Sequence, residues 1–388
     1  MIGVPPVYLD HNATTPPAPA VLRAMADALA HTWANPSSAH APGQAARRRV
    51  AEARARVAAF LGCQAGELVF TSGATEANHA AVLGALKARA AEGRCRLVLS
   101  AVEHPALLAL AARLQAGGVP VDRLPVDAEG RVSIEAARAR IAGDVAVVSV
   151  MGANNETGVC MPIAGIAALA HAAGAWLHVD ATQLAGKAPL AFAGSGIDLM
   201  SVSAHKLHGP QGIGALVVRK GLVLPPLIAG RQERQRRGGT ENVAGIAGFA
   251  AACDAAAATW TDDLDRLRRQ RDRLEDALVQ ALPGVHVYGR GAPRVPNTLC
   301  LRFAELDAEL VLARLERAGI VASSGAACAA GGTQPSHVLL ALGETPVRAR
   351  AGIRFSLGRT TTDADIDHAI AAVPRALASD LQPALESA

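Results

Sequence analysis

The chain contains few aromatic residues and no dense cysteine pattern. Only 3% of its 388 residues are Phe, Trp or Tyr, although 51% are hydrophobic, so its core must consist mainly of Ala, Val, Leu and Ile. The six cysteines are widely separated, and the closest pair is Cys300 and Cys328. This spacing excludes zinc or redox sites of the CxxC type. Free thiols in a reducing cytoplasm are therefore the expected setting.

A large charge excess and long apolar runs are also missing. The formal net charge of +4 requires neither a nucleic-acid nor a membrane partner. No uninterrupted apolar run approaches the ~18 residues of a membrane span. The N-terminus, Met1-Ile-Gly-Val-Pro-Pro, lacks the basic and apolar regions of a signal peptide. The run Arg47-Arg48-Arg49 is interpreted as the solvated face of a helix. We expect a cytoplasmic protein of two domains.

Short apolar runs alternate with Ala-rich helical patterns from residue 67 onward. This alternation predicts an α/β fold whose large domain, residues 16–255, contains a mostly parallel seven-stranded sheet covered on both faces. The later pattern predicts a smaller α+β domain, residues 256–388, joined by residues 1–15. An Ala- and Gly-rich helix is expected over residues 242–259, followed by a charged amphipathic helix. The strand-like runs of the large domain are residues 68–70, 97–99, 119–124, 145–150, 176–179, 199–202 and 213–218.

A lysine in a turn gives the first indication of chemistry. Lys206 lies between two apolar strands that are bounded by glycines, where packing does not require a lysine. A lone loop lysine is most often solvated. Here, however, Asp180 ends another apolar strand, and Gly73-Ala-Thr-Glu76 follows a third. Pyridoxal phosphate requires three such groups: a lysine that forms a Schiff base, a carboxylate that pairs with the pyridine nitrogen, and a turn that binds the phosphate.

The turn at residues 70–77 and the histidine at position 104 fit the same cofactor. Ala74 and Thr75 begin a predicted helix, whose free N–H groups and dipole favour a phosphate, although an ordinary capped turn has the same pattern. His104 precedes Pro105 at the carboxyl end of a strand. A flat imidazole there could stack on an aromatic ring and move protons, whereas a surface histidine is the alternative.

Several further polar residues follow strand ends or small-residue stretches. Asn154 and Asn155 could donate to a phenolic oxygen, although Asn-Asn also simply makes turns. Gln183 could face the same space as Asp180, and Arg354 could bind a carboxylate through two hydrogen bonds. Thr240 follows an arginine-rich stretch that is otherwise interpreted as a solvated loop. Cys328 lies among Gly, Ser and Ala, so it could carry a thiolate into a site, although cysteine is usually a small buried hydrophobe.

Taken together, these stretches resemble cysteine desulfurases of the NifS/IscS type, a class-V, fold-type-I family of pyridoxal-phosphate enzymes. The resemblance covers almost the whole chain in the order and spacing of the family. It is carried by Tyr8-Leu-Asp-His-Asn-Ala-Thr-Thr-Pro16, Asn35-Pro-Ser-Ser-Ala-His40, Phe70-Thr-Ser-Gly-Ala-Thr-Glu-Ala-Asn78, Ser100-Ala-Val-Glu-His-Pro105, Asn154-Asn-Glu-Thr-Gly158, His178-Val-Asp-Ala-Thr-Gln183, Ser203-Ala-His-Lys206, Ser323-Ser-Gly-Ala-Ala-Cys328 and Ile353-Arg-Phe-Ser-Leu-Gly-Arg359.

The resemblance implies a role for each matching residue. Lys206 would carry pyridoxal phosphate and remove the Cα proton of L-cysteine, Asp180 would pair with the pyridine nitrogen, and His104 would stack on the ring. Cys328 would take the sulfur as a persulfide, releasing L-alanine, and pass it to an acceptor in iron–sulfur or other sulfur-cofactor assembly. The remaining expectations are Ala74, Thr75, Ser203 and His205 at the phosphate, Asn155 and Gln183 near the ring oxygen, Arg354 and Asn155 at the substrate carboxylate, and Thr240 at the phosphate of a neighbouring subunit in a homodimer.

Departures from the family pattern leave these groups in place. His11 and Arg231 replace a frequent asparagine and glycine, and alanines at positions 326, 329 and 330 replace frequent hydroxyl residues. A selenocysteine lyase or another class-V lyase or aminotransferase, and an inactive sulfur-assembly scaffold, remain alternatives. Cys328 favours a desulfurase over a transaminase, since transamination needs no second nucleophile. The presence of Lys206, Asp180 and His104 argues against a scaffold.

Overall fold

The computed structural model describes residues 6–325 and 334–381. Its strands are β1 (Val7–Tyr8), β2 (Leu68–Thr71), β3 (Arg96–Ser100), β4 (Val121–Leu124), β5 (Val145–Met151), β6 (Trp176–Asp180), β7 (Leu199–Ser203), β8 (Gly214–Val218), β9 (Val285–Val287), β10 (Thr298–Phe303), β11 (Ile320–Val321), β12 (Ser323–Ser324) and β13 (Ile353–Ser356). Its helices are α1 (Pro19–His31), α2 (Ala41–Leu61), α3 (Ala74–Arg89), α4 (Pro105–Ala116), α5 (Ile134–Arg140), α6 (Ile163–Ala172), α7 (Gln232–Gln235), α8 (Val243–Ala281), α9 (Ala308–Arg317), α10 (His337–Ala341), α11 (Pro346–Arg350) and α12 (Asp363–Leu381).

The central sheet has seven strands in the order β2-β8-β7-β6-β5-β3-β4. Strand β8 is antiparallel to both neighbours, and the other neighbouring pairs are parallel. The prediction of a mostly parallel seven-stranded sheet in an α/β fold is confirmed. Alternate residues of β3 point to opposite faces: Val98 joins one apolar cluster, and Leu97 and Leu99 join another. Helices therefore cover both faces, which explains the continuous apolar runs.

A third apolar cluster surrounds a four-stranded antiparallel sheet in the order β12-β13-β10-β9. Phe303 and Phe355 lie in this cluster together with residues of α9 and α12. Strand β1 pairs in parallel with β11, so the N-terminal segment lies beside the cluster around the four-stranded sheet. The division of the chain into the two predicted domains stays a prediction.

Helix α8 differs from the sequence expectation. The sequence suggested an Ala-rich helix over residues 242–259 followed by a separate amphipathic helix, but the structure has one helix of 39 residues. Its first half packs through Phe249 and Cys253 in the cluster that contains Val98. Its second half packs through Leu274 and Leu278 in the cluster around the four-stranded sheet. The change in composition near residue 260 therefore marks a change of packing partner. It does not mark a break.

Helix α8 is also long and apolar enough to cross a membrane, since it contains an 18-residue window of mean hydropathy 1.4. However, 61% of that window is buried inside the protein. The helix contacts α1 and α2 along its first half. Its apolar composition is thus explained by its place in the core.

Candidate active site

A cavity of about 640 Å³ opens at the edge of the sheet where the parallel strands end. The loops after β2, β3, β5, β6 and β7 contribute to its wall, because the carboxyl ends of parallel strands meet at one edge of a sheet. Residues from the N-terminal turn and from β13 complete it. The predicted site residues that line this cavity are Ala74, Thr75, His104, Asn155, Asp180, Gln183, Ser203, His205, Lys206 and Arg354.

Lys206 lies in the 3₁₀ turn Ala204–Lys206 that follows β7. Its Nζ donates to the carbonyl oxygen of Asn12 at 2.5 Å and to that of Ala13 at 2.7 Å. These two carbonyls belong to the turn after β1, which is remote in sequence. The lysine is therefore held at the cavity wall by main-chain oxygens.

Asp180 ends β6 and is 5% exposed. Its Oδ2 accepts a hydrogen bond from Asn78 Nδ2 at 2.7 Å, and its Oδ1 accepts one from the main-chain N–H of Thr182 at 3.0 Å. Asn78 is a buried residue of α3 that lines the same cavity. In the sequence, Asn78 ends the motif Phe70-Thr-Ser-Gly-Ala-Thr-Glu-Ala-Asn78, and no local pattern indicates its partner. The structure shows that it orients the Asp180 carboxylate.

His104 caps the N-terminus of α4. Its Nδ1 accepts a hydrogen bond from the main-chain N–H of Ala106 at 3.2 Å, which leaves the ring proton on Nε2. Burial lowers the pKa of His104, and Lys206 lowers it further, whereas Asp180 opposes the shift. The cavity therefore contains a neutral imidazole with a fixed tautomer, as stacking on a flat ring requires.

The start of α3 forms the anion-binding side of the cavity. Ala74 and Thr75 supply first-turn N–H groups, and Ser203 and His205 line the same cavity. The main chains of Gly73 and Gly214 lie close together, since a Cβ atom on Gly214 would lie 2.7 Å from the Gly73 Cα atom. Burial, with contributions from Lys206 and another lysine, lowers the pKa of His205 to about 4. The free N–H groups and helix dipole suit a phosphate dianion.

Arg354 is 4% exposed and is held by Asp10 and by the main chain of Asn155. Its Nη2 donates to Asp10 Oδ1 at 2.5 Å, and its Nη1 donates to the Asn155 carbonyl oxygen at 3.0 Å. Within the described ranges, the buried Nε has no hydrogen-bond partner. Arg354 lines the cavity, so its guanidinium is placed to donate hydrogen bonds to a carboxylate ligand.

Gln183 belongs to a buried network that the sequence did not reveal. Its Nε2 donates to the Asn12 carbonyl oxygen at 3.0 Å, and its Oε1 accepts from Lys187 Nζ. Lys187 is 7% exposed, and burial lowers its pKa well below the usual value. The signal that could have identified it is its position, four residues after Gln183 in the turn that follows β6.

Thr240 is not among the residues that line this cavity. Thr240 lines a neighbouring cavity of about 190 Å³, which shares Ser72 and Gly212 with the larger cavity. Cys328 lies outside the described residues, but Gly325, three positions earlier, lines the larger cavity. Among the described residues, no group of three His, Cys, Asp or Glu side chains could hold a metal ion.

Comparisons with known proteins agree with this arrangement. The family model described as "Aminotransferase class-V" matches residues 7–369. A cysteine desulfurase of Cereibacter sphaeroides is 47% identical over 371 residues, which cover 95% of each chain. A solved NifS-like protein superposes with a TM-score of 0.89 at 32% identity, covering 96% of this chain and 99% of that one. The structure described as SspA in complex with cysteine gives a TM-score of 0.80 at 30% identity, covering 90% and 98%.

Proposed function

The chain belongs to the aminotransferase class-V family and, within it, to the NifS-type cysteine desulfurases, and we propose that it uses pyridoxal phosphate to remove sulfur from L-cysteine. The observation that carries the proposal is the convergence of Lys206, Asp180, His104 and the N-terminus of α3 on one cavity. These groups come from four separate strand ends, and each supplies a different requirement of the cofactor.

The cavity fits pyridoxal phosphate by the chemistry of its donors. The start of α3, with Ser203 and His205, would bind the phosphate. Asp180, fixed by Asn78, would hold a proton on the pyridine nitrogen, and the neutral His104 ring would stack on the pyridine face. When bound, the cofactor supplies an electron sink for the carbon atoms of the substrate.

The substrate would be oriented by Arg354. The guanidinium, fixed by Asp10 and the Asn155 carbonyl, lines the cavity and would bind the cysteine carboxylate. Lys206 would then move the proton from Cα, because its amine lies on the same cavity wall. The acceptors Asn12 and Ala13 would keep the side chain in position.

Sulfur transfer would use Cys328. Its thiolate would attack the sulfur of the bound substrate, so that an S–S bond forms while the C–S bond breaks and the electron pair stays with the substrate carbon. That carbon takes up a proton and becomes the methyl group of L-alanine. The persulfide on Cys328 would pass its sulfur to an acceptor protein of iron–sulfur or other sulfur-cofactor assembly.

A cytoplasmic homodimer is the proposed state. Thr240 lies outside the cavity of Lys206 in its own chain, which is consistent with a role at the phosphate of a second subunit. Large apolar side chains that a monomer would leave in water support an interface, since Trp33 is 72% exposed and Val223 is 82% exposed. Light scattering on the purified protein should give twice the mass of one 39.7 kDa chain.

The first test is spectroscopic. Protein supplied with pyridoxal phosphate should absorb visible light, and borohydride reduction followed by peptide mapping should place the pyridoxyl group on Lys206. Absence of an adduct at Lys206 in cofactor-saturated protein would overturn the proposal.

The second test separates desulfuration from the alternatives. The protein should release sulfide and alanine in equal amounts from L-cysteine, and Cys328→Ala should keep the bound cofactor but lose sulfide release. Cys95→Ala, at an exposed position, is the matched control and should keep full activity. If Cys328→Ala released sulfide at the full rate, the role given to Cys328 would be wrong.

A further inference from the structure

Lys187 is a second lysine near the site, and its environment is unusual. Its Nζ donates to Asn12 Oδ1 at 2.8 Å and also to Gln183 Oε1. Both acceptors are neutral amide oxygens. Among the described residues, no carboxylate forms an ion pair with Lys187. A buried amine without an anionic partner is costly, and an apolar side chain of similar size would stabilise the fold more.

The two acceptors indicate a structural role for this buried amine, which is to orient the amide side chains that it contacts. An amide side chain has one accepting end and one donating end, and the N–H groups of Lys187 meet the accepting end of each amide. Lys187 therefore holds the Gln183 oxygen toward its amine. The Asn12 amide has further partners, among them Asn297 and Thr298. The Gln183 nitrogen then faces the Asn12 carbonyl, to which one of its two hydrogens is bonded.

The consequence reaches the cavity. Gln183 lines the cavity, and the second hydrogen of its Nε2 remains available there. With the amide reversed, an oxygen would occupy that place and would repel any anionic or phenolic oxygen. Asn12 is the same residue whose carbonyl accepts from Lys206. Lys187 thus acts on two groups at the wall of the site without lining the cavity itself.

We propose that Lys187 is a positioning residue that fixes the Gln183 amide with its nitrogen toward the cofactor cavity. The inference rests on the proposed function, because the ligand that would use this N–H is the ring oxygen of pyridoxal phosphate. Lys187 makes no contact with the substrate in this scheme.

The experiment measures cofactor binding, and activity is not needed. The dissociation constant of pyridoxal phosphate is determined by absorbance titration for the wild type, Lys187→Met, Gln183→Leu and the double variant. Lys220→Met, at an exposed lysine, is the matched control. Lys187→Met is expected to weaken binding about tenfold, the factor that corresponds to one lost hydrogen bond of this kind, and to shift the visible absorption maximum.

The double variant decides whether the effect passes through Gln183. We expect its dissociation constant to lie within about twofold of the weaker single variant, since each change removes the same positioned N–H. Thermal unfolding of the cofactor-free Lys187→Met protein checks that this variant folds. If it does not fold, Lys187→Gln replaces it, because that side chain is one atom shorter and cannot reach both acceptors.

The outcomes are distinguishable. Unchanged binding and absorption in a folded Lys187 variant, or effects of the two single changes that multiply in the double variant, would overturn the inference while leaving the proposed function intact. If the wild type itself bound no cofactor at Lys206, the proposed function would fail first. Tight binding in Lys220→Met together with weak binding in Lys187→Met would support the positioning role.

Discussion

Replacement of Glu233 by alanine should destabilise the protein more than the loss of an ordinary surface charge. Helix α7 contains three successive non-glycine residues with left-handed backbone angles: Glu233 (φ 47°), Arg234 (φ 57°) and Gln235 (φ 65°). Such a conformation costs roughly 1–2 kcal/mol per residue. The turn therefore needs an anchor, and the Glu233 side chain provides it.

The anchor is a buried ion pair with Arg54. Glu233 Oε2 accepts from Arg54 Nη1 at 2.8 Å and from the Phe70 N–H at 2.9 Å, while Oε1 accepts from Arg54 Nη2 at 2.5 Å. Removing one partner of a buried pair costs about 3–5 kcal/mol. If the released turn lets one residue leave its left-handed conformation and recover ~1–2 kcal/mol, the net loss is about 1–4 kcal/mol.

Urea unfolding at pH 7 measures this loss. The matched control is Asp254→Ala, which breaks the ion pair of Arg56 and Asp254 on the surface, where the two side chains are 43% and 52% exposed. That change should cost no more than about 1 kcal/mol. Trypsin should also cut the Glu233→Ala protein faster after Arg234. Equal losses of unfolding free energy in the two variants would refute the view that Glu233 anchors a strained turn.

Three further predictions concern the core and the edge of the site. Burial lowers the pKa of His178 to about 4, so below about pH 6.5 the unfolded chain binds a proton at this residue that the folded chain does not bind. This difference should lower the unfolding free energy by up to ~3 kcal/mol between pH 7 and 4. In unfolding experiments, His178→Gln should remove this contribution to the pH dependence. Gly214→Ala should lower the unfolding free energy by roughly 1–3 kcal/mol, since its Cβ would lie 2.5 Å from a main-chain oxygen, whereas Gly143→Ala, with open space around it, should be neutral within about 0.5 kcal/mol. Asn78→Ala should cost about 2 kcal/mol and weaken cofactor binding, because one oxygen of the buried Asp180 loses its donor; an unchanged calorimetric melting temperature and cofactor affinity would contradict this.

The sequence by itself determined the architecture of the large sheet. Its apolar runs are short and continuous, because strands covered on both faces need no polar side. Each run became a strand, and the polar residues that follow those runs, such as His104 and Asp180, came together at one edge. This follows from local pattern and from the rule that parallel strands end on the same side.

The shortest strands and the longest helix were harder to predict from the sequence. Strand β12 has two residues, too few for a periodic pattern, and it exists because it pairs with β13. Helix α8 was expected as two helices, since its composition changes midway. No glycine or proline interrupts residues 257–281, however, and the helix continues while its packing partner changes. Composition reports the environment of a helix, whereas its length depends on the presence of breakers.

Only the tertiary structure decided how the site residues are held. The bonds of Asn78 to Asp180, of Asp10 to Arg354 and of Lys187 to Gln183 are side-chain contacts. The first two join residues 102 and 344 positions apart, so neither has a local sequence signal. Lys187 does lie close to Gln183 in sequence, but its burial depends on Asn12, 175 positions away. The chemical type of a side chain can be read at its own position in the sequence. Its orientation depends on neighbours that folding brings from distant parts of the chain.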